Sequence, residues 1–415
     1  LTTSCQDNLD LDTANSDTRY VNIDKNIFAV KGCINVKLEK GTNRVIPSTP
    51  NGNVEMQNVP SAMASAMKFS GAYKMERVFK PAGIYEARTI AEGLDRWYTI
   101  YFDDSKDVAA VLQQFNKVNG IEYAERVLPM KRPEVTAKPY SSSNANTGMQ
   151  AASGIFNDPY LSKQWHYYND GSVSAHAKKG ADCNVKPVWE KYTTGKSNVI
   201  IAVVDGGIDI THEDLVDNLY INEKEKNGQP NVDDDGNGFV DDIYGYNFVT
   251  ADDVIGGKIE PDDDGHGTHV AGTVAARNNN GKGVAGVAGG DGTEGTGVRL
   301  MSCQIFRKKN EQGEAAAAIK YAADNGAIIC QNSWGYTSAA NVTVMPRLLK
   351  ESIDYFIKMA GCDATGQQRA DSPMKGGVVI FAAGNENKEF TAYPASYAPT
   401  ISVSAMAWDL TKASY

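Results

Sequence analysis

The sequence predicts an α/β fold, a parallel sheet with helices on both faces, preceded by a small α+β module. Three observations carry this. Apolar runs without polar interruption, such as Val199–Val204 and Val378–Ala383, alternate from residue 157 onward with segments of helical periodicity. Strands apolar at every position are buried on both faces, as in parallel sheets. Between Lys31 and Val127 the apolar residues instead alternate with period two in short runs separated by helical ones. Finally, 415 residues with 41% hydrophobic and 22% charged side chains have the balance of a globular protein with room for more than one core.

Residues 1–29 read as a polar tether. Leu1-Thr-Thr-Ser-Cys5 resembles the lipobox that ends a bacterial lipoprotein signal peptide, and the acidic stretch from Gln6 to Asp12 follows it directly. That resemblance implies lipidation at Cys5 and an extracytoplasmic place, as a cell-envelope lipoprotein or a secreted protein. Membrane contact is expected through that anchor alone, since no run approaches the roughly 18 apolar residues of a spanning helix.

Residues 30–128 give strand Cys33–Leu38, a helix within Pro60–Phe69, and strands Ala72–Phe79 and Arg96–Phe102. Helix Lys106–Val118 and strand Ile121–Val127 complete the module. Val108, Val111, Leu112, Phe115 and Val118 recur at helical spacing. The order β-α-β-β-α-β is that of a ferredoxin-like module. Pro129, Pro133, Pro139 and the run Ser141–Gly148 make 129–156 a solvated linker. From 157 to 415, strands are expected at 199–205, 298–306, 326–332, 377–382 and 400–405. Helices are expected from about His266 and over Glu314–Asp324 and Pro346–Met359. Ligands of such sheets bind at the carboxyl ends of strands. The six cysteines form no disulfide framework, and Cys303 and Cys330, inside apolar runs, read as small buried hydrophobes. A net charge of −10 argues against nucleic acid as a partner, since phosphate binding needs a basic face.

Three polar residues end apolar elements or open one. Asp205 follows six apolar residues and precedes two glycines, so it is pushed into a cleft at a sharp turn. His266 sits between glycines, where no neighbouring side chain crowds the ring. Asn385 follows Ala-Ala-Gly, and its carboxamide can donate without carrying charge. Acid, base and neutral donor are the parts of an acyl-transfer site. His269 reads as an ordinary core histidine. Asp262, Asp263 and Asp264 read as a solvated acidic loop, with a preference for basic substrate residues as the alternative. Asn231, Asp233, Asp235, Asn237 and Asp242 follow the twelve-residue calcium-loop template with Gly236 at its sixth position. So many carboxylates repel one another unless a cation neutralises them.

Val204-Asp-Gly-Gly-Ile-Asp209, Gly265-His-Gly-Thr-His-Val-Ala-Gly272 and Ala382-Ala-Gly-Asn385 together resemble the motifs of subtilisin-like serine proteases, the subtilases. Their triad runs Asp, His, Ser along the chain. Gly206 departs from the family's usual Ser or Thr. The resemblance implies a subtilisin-like catalytic domain over 157–415, with Asp205 and His266 catalytic and Asn385 in the oxyanion hole. It implies substrate binding by Ser333, Trp334, Gly335, Ala383 and Gly384. It also makes 30–128 an inhibitory prodomain, on Arg96–Phe102 and Gly120–Glu125, with self-processing in the linker. A second calcium site is implied at Gln164, Asp214 and Asn280, stabilising rather than catalytic. The family's Gly-Thr-Ser-x-Ala nucleophile segment does not occur in 1–415 and is expected beyond Tyr415. The chain as it stands is therefore expected to be inactive, and unstable or aggregation-prone without the helix that carries the serine. The function implied is the zymogen of a serine endopeptidase acting on polypeptides. The alternative is a subtilase scaffold that binds peptides without cutting them.

Overall fold

A computed structural model describes residues 20–24, 27–42, 46–132, 155–249, 257–260, 265–308, 311–337, 340–387, 389 and 391–414. Cys5, Asp262, Asp263, Asp264 and most of the expected linker lie outside these residues.

The N-terminal module begins with a hairpin, β1 (Tyr20–Asp24) and β2 (Ile27–Val30). Its main sheet comprises β3 (Cys33–Leu38), β4 (Asn53–Val54), β5 (Lys74–Arg77), β6 (Trp97–Tyr101) and β7 (Ile121–Arg126), in the antiparallel order β4-β5-β6-β3-β7. Helices α1 (Ala64–Ser70) and α3 (Val108–Phe115) cover one face, and α2 (Glu86–Ala91) lies between β5 and β6. Setting aside β4 and α2, this is the β-α-β-β-α-β succession expected of 30–128. Ile34, Val36, Leu38, Tyr98 and Ile100 meet Met67, Val108, Val111 and Phe115 in one core. Asp107 caps α3 by accepting from Ala109 N at 3.1 Å. Sequence periodicity misses α2, because six residues with two charges carry no apolar stripe; tertiary contacts hold it instead.

After β8 (Met130–Lys131) and α4 (Lys186–Lys191), a six-stranded sheet forms. Its strands are β9 (Ile200–Asp205), β10 (Gly245–Asn247), β11 (Arg299–Gln304), β12 (Ile329–Asn332), β14 (Val378–Ala382) and β15 (Ile401–Val403). All pair in parallel, in the order β10-β11-β9-β12-β14-β15. The strand β13 (Gly335–Tyr336) pairs outside this sheet, and α5 (Glu223–Lys226) precedes β10. Alternate residues of β9 serve two cores. Ile201 and Val203 face α6 (His266–Ala275) with Ala271 and Ala275. Ala202 and Val204 face α7 (Ala315–Asp324) and α8 (Arg347–Met359) with Ile319, Ile353 and Phe356. Two-sided burial explains the unbroken apolar run. The edge strand β10, three residues flanked by turns, is too short to announce itself in sequence. At the opposite edge Ile401 and Val403 are about half exposed.

The second face of the module's sheet lies on α7 and α8, which is why β3 is buried at all six positions. Val78, Phe79, Leu94 and Trp97 join the catalytic domain's apolar core there, and polar contacts surround them. Lys37 Nζ and Trp97 Nε1 reach Glu351 on α8 at 2.7 and 2.8 Å, and Arg347 pairs with Glu122. Pro346 precedes α8 and gives its first turn no side-chain cap. Glu125 of β7 supplies one, accepting from Arg347 N at 2.9 Å and Leu348 N at 3.0 Å. Farther along, Ile84 N donates to Gly236 O at 2.8 Å. There is no room for side chains here: a Cβ on Gly83 would lie 1.9 Å from Gly236 O, and one on Gly238 2.2 Å from Pro81 O.

A cavity of about 570 Å³ remains between module and domain, lined among others by Cys33, Tyr101, Glu125, Glu314 and Tyr336. Burial pushes the Glu314 carboxyl up to about 7, with Glu125 adding repulsion and the Ala316 amide opposing. Burial likewise pushes Glu125 up to about 6, against the pull of the α8 amides. A carboxyl whose pKa is raised on folding binds its proton more tightly in the folded state. Its stabilisation is complete below about 4.5 and is lost as pH rises towards 7. Glu314→Gln keeps an acceptor for Ala316 and removes the titration. It is expected to raise the melting temperature at pH 8 by roughly 2–4 °C and leave it unchanged near pH 4.5, as scanning calorimetry at both pH values would show.

Candidate active site

β9 ends at Asp205, wholly buried, and α6 opens at His266, 6% exposed. His266 Nδ1 lies 2.7 Å from Asp205 Oδ1. The same oxygen accepts from Gly206 N at 2.7 Å, while Asp205 Oδ2 has no hydrogen-bond partner among the described residues. The approach depends on glycine. A Cβ on Gly267 would sit 2.3 Å from Gly207 O, so the helix start could not otherwise reach the turn after β9. Asp209 N donates to Thr268 Oγ1 at 2.9 Å and joins turn to helix a second time.

Sequence reasoning missed Gln304, the buried last residue of β11. Its Nε2 donates to Gly206 O at 3.2 Å, to Phe306 O at 2.9 Å and to Glu260 O, and its Oε1 accepts from Glu260 N at 2.8 Å. One carboxamide thus binds the turn behind Asp205 to the segment before His266. A carboxylate held against Nδ1 keeps the ring proton there and leaves Nε2 as an acceptor, the arrangement of a general base.

Ser333, Trp334, Gly335, Ala383, Gly384 and Asn385 come together as walls of a cavity of about 350 Å³ at the ends of β12 and β14. Asp205 and His266 do not line it. Trp334 is buried against Phe381 and Phe306, with ring centroids 5.3 and 6.5 Å away. The start of the expected linker is not solvated but runs along one wall as a strand: β8 pairs antiparallel with β13, Lys131 opposite Gly335 and Met130 opposite Tyr336. Thr337 N extends the ladder to Pro129 O at 3.1 Å, and Lys131 Nζ meets Glu386 Oε1 at 2.7 Å.

The acidic loop gathers differently from its template. Donor oxygens of Asp235, Asp242 and Glu225 lie within 4.8 Å of one another. Glu225 on α5 was not anticipated, because Glu-Lys-Glu-Lys reads as a solvated turn of helix. Asn231 is exposed and only its backbone reaches the loop, donating to Asp241 Oδ2 at 2.9 Å. Asp233 turns its oxygens to the amides of Gly236, Asn237 and Gly238 at 2.7, 3.1 and 2.9 Å, holding the turn. Asn237 presents its Nδ2 to Asp235 and Asp242 at 3.2 and 2.9 Å, a donor where a ligand oxygen was expected. Burial, with repulsion from the other acids, pushes Asp242 up to about 7 and raises Asp235 and Glu225. Three crowded carboxylates suit a hard divalent cation.

Gln164, Asp214 and Asn280 collect around the 278–285 loop. Asn280 Nδ2 and Val284 N donate to Asp214 at 2.8 and 2.9 Å, and Gln164 exchanges two 2.8 Å bonds with Ala285. His269, expected in the core, is exposed. Cys33, Cys303, Cys330 and Cys362 are buried and Cys183 exposed, all as free thiols.

The family model described as "Subtilase family" matches residues 196–414, more than half the chain. The chain belongs to the subtilase family. The model "N-terminal of Subtilase family" matches 15–171, so the β3–β7 module is the family's prodomain. Among curated proteins, this subtilase is 30% identical over 274 residues to "Subtilisin-like protease 1" of Plasmodium berghei, covering 64% of this chain and 40% of the relative. It is 33% identical over 222 residues to the "Thermophilic serine proteinase" of a Bacillus species, covering 52% and 40%. The crystal structure of fervidolysin from Fervidobacterium pennivorans superposes with a TM-score of 0.50 at 20% identity, covering 91% of this chain and 43% of that one. The chain spans about two fifths or less of the length of these relatives.

Replacing Gln304 with Leu would leave Gly206 O and both Glu260 backbone groups without partners. A loss of about 2–4 kcal/mol is expected in denaturant unfolding. Faster hydrogen exchange at Glu260, whose amide donates to Gln304 Oε1, would locate the effect.

Proposed function

We propose that the chain comprises the inhibitory prodomain and most of the catalytic domain of a subtilisin-like serine endopeptidase, synthesised as a zymogen. One observation carries the reading: a buried Asp205–His266 pair at 2.7 Å, at the carboxyl edge of a parallel sheet. In the proposed reaction His266 Nε2 takes the proton of a serine hydroxyl supplied by sequence beyond Tyr415. Asp205 holds the imidazole's orientation and stabilises the imidazolium that forms. The Asn385 carboxamide donates to the developing oxyanion, and a peptide is held along β13 beside Ser333, Trp334, Gly335, Ala383 and Gly384.

The pairing of β8 with β13 supports inhibition by strand addition, the prodomain taking the edge a substrate would use. Processing in 129–156 would then free the cleft. Glu225, Asp235 and Asp242 would hold a calcium ion. The second ion that the family resemblance implies at Asp214, Gln164 and Asn280 would have to displace the hydrogen bonds these side chains make to one another and to Val284 and Ala285. Bound calcium supplies charge neutralisation that stiffens the fold. Lipidation of Cys5 and an extracytoplasmic location complete the proposal.

In the protein extended through its serine, a fluorophosphonate probe is expected to label once, and His266→Ala to abolish both labelling and peptide hydrolysis. Asn385→Ala should lower kcat by about 100- to 1000-fold with little change in KM. Absence of labelling in the mature protein would leave the peptide-binding alternative standing.

EGTA is expected to lower the melting temperature of the chain. Asp242→Asn should remove most of the stabilisation that added calcium restores. Equal melting with and without EGTA would rule the ion out.

A further inference from the structure

Arg88 projects from α2 of the module, yet it is 4% exposed. Nε and Nη2 donate to Asp324 Oδ1 at 3.2 and 2.5 Å, and Nη1 donates to Cys362 O at 3.2 Å and Asp363 O at 2.8 Å. The Tyr355 ring lies 5.7 Å from the guanidinium carbon. All these partners belong to the catalytic domain; only the Tyr85 ring, at 4.3 Å, is the module's own.

Asp324, at the end of α7, is itself buried and already neutralised. Lys320 Nζ lies 2.5 Å from its Oδ2, and Tyr355 OH donates to Oδ1 at 2.7 Å. A second cation is therefore not needed to balance the carboxylate. What the site adds is geometry: one carboxylate oxygen that takes both Nε and Nη2, two carbonyls that take Nη1 and an aromatic face, which match the planar fork of a guanidinium and not the point charge of an ammonium. We propose that α7, α8 and the 361–363 turn form an arginine-recognition pocket on the catalytic domain, apart from the Asp205–His266 pair. It holds Arg88 in cis, and it would take an arginine of another polypeptide when the module is away.

The site stands outside the proposed chemistry, so its test needs no turnover. In the full chain, Arg88→Ala is expected to speed hydrogen exchange of the α2 amides at least about 30-fold, the lower end for truncating a buried charge pair. Millimolar methylguanidinium should restore protection saturably, whereas methylammonium should not. The double variant Arg88→Ala, Asp324→Asn should respond to neither. Unchanged α2 protection in Arg88→Ala, or equal rescue by the two cations, would overturn the pocket. If Arg88→Ala does not fold, Arg88→Lys keeps the charge and most of the stem. Accelerated exchange in that variant supports fork recognition, and wild-type protection refutes it.

Discussion

The two-sided burial of β9 is the constraint from which most of this molecule follows. A strand clothed by α6 on one side and by α7 and α8 on the other can carry polar groups only where it ends. Asp205 is that end, and its neighbours β11 and β12 finish in Gln304 and Asn332 at the same edge. A parallel sheet thus sorts chemistry from packing without any one residue being placed for both. His266 reaches the edge because the glycines on either side of the contact let a helix start lie directly on a turn.

The union of module and domain combines apolar packing, through Val78, Phe79, Leu94 and Trp97, with an unusual share of polar contacts. A helix that lacks its own cap receives one from Glu125, a carboxylate is shared by Lys37, Trp97 and Arg347, and a guanidinium is enclosed by Asp324 and two carbonyls. Charge-assisted contacts of this kind are directional, and they fix register more than they add cohesion. The raised carboxyls of Glu125 and Glu314 show what enclosure costs at neutral pH. Directional contacts laid over this shared apolar packing hold the module in one pose.

What was legible in the sequence was whatever a short stretch determines by itself. The apolar runs gave the strands, helical spacing gave α3, α7 and α8, and glycines flanking polar residues singled out Asp205 and His266. What was not legible depends on chain-distant partners. Gln304, Arg88 and Glu225 lie in stretches whose local pattern is ordinary, and they matter because of residues roughly 10 to 275 positions away. The acidic loop shows how a template misleads. Asp235 and Asp242 do lie together, but Asp233 satisfies backbone amides and the third clustered acid comes from a helix outside the loop.

The contact between Gly83 and Gly236 joins two regions by main chain alone. Backbone packed on backbone has no side chain with which to absorb a displacement, so movement in the 233–242 loop is transmitted to the 81–84 segment directly. Equilibrium linkage makes such a junction symmetrical. Whatever favours one shape of the loop changes the affinity for the module by some factor, and the docked module favours that loop shape by the same factor. Two parts of the chain more than 150 residues apart thus share one equilibrium.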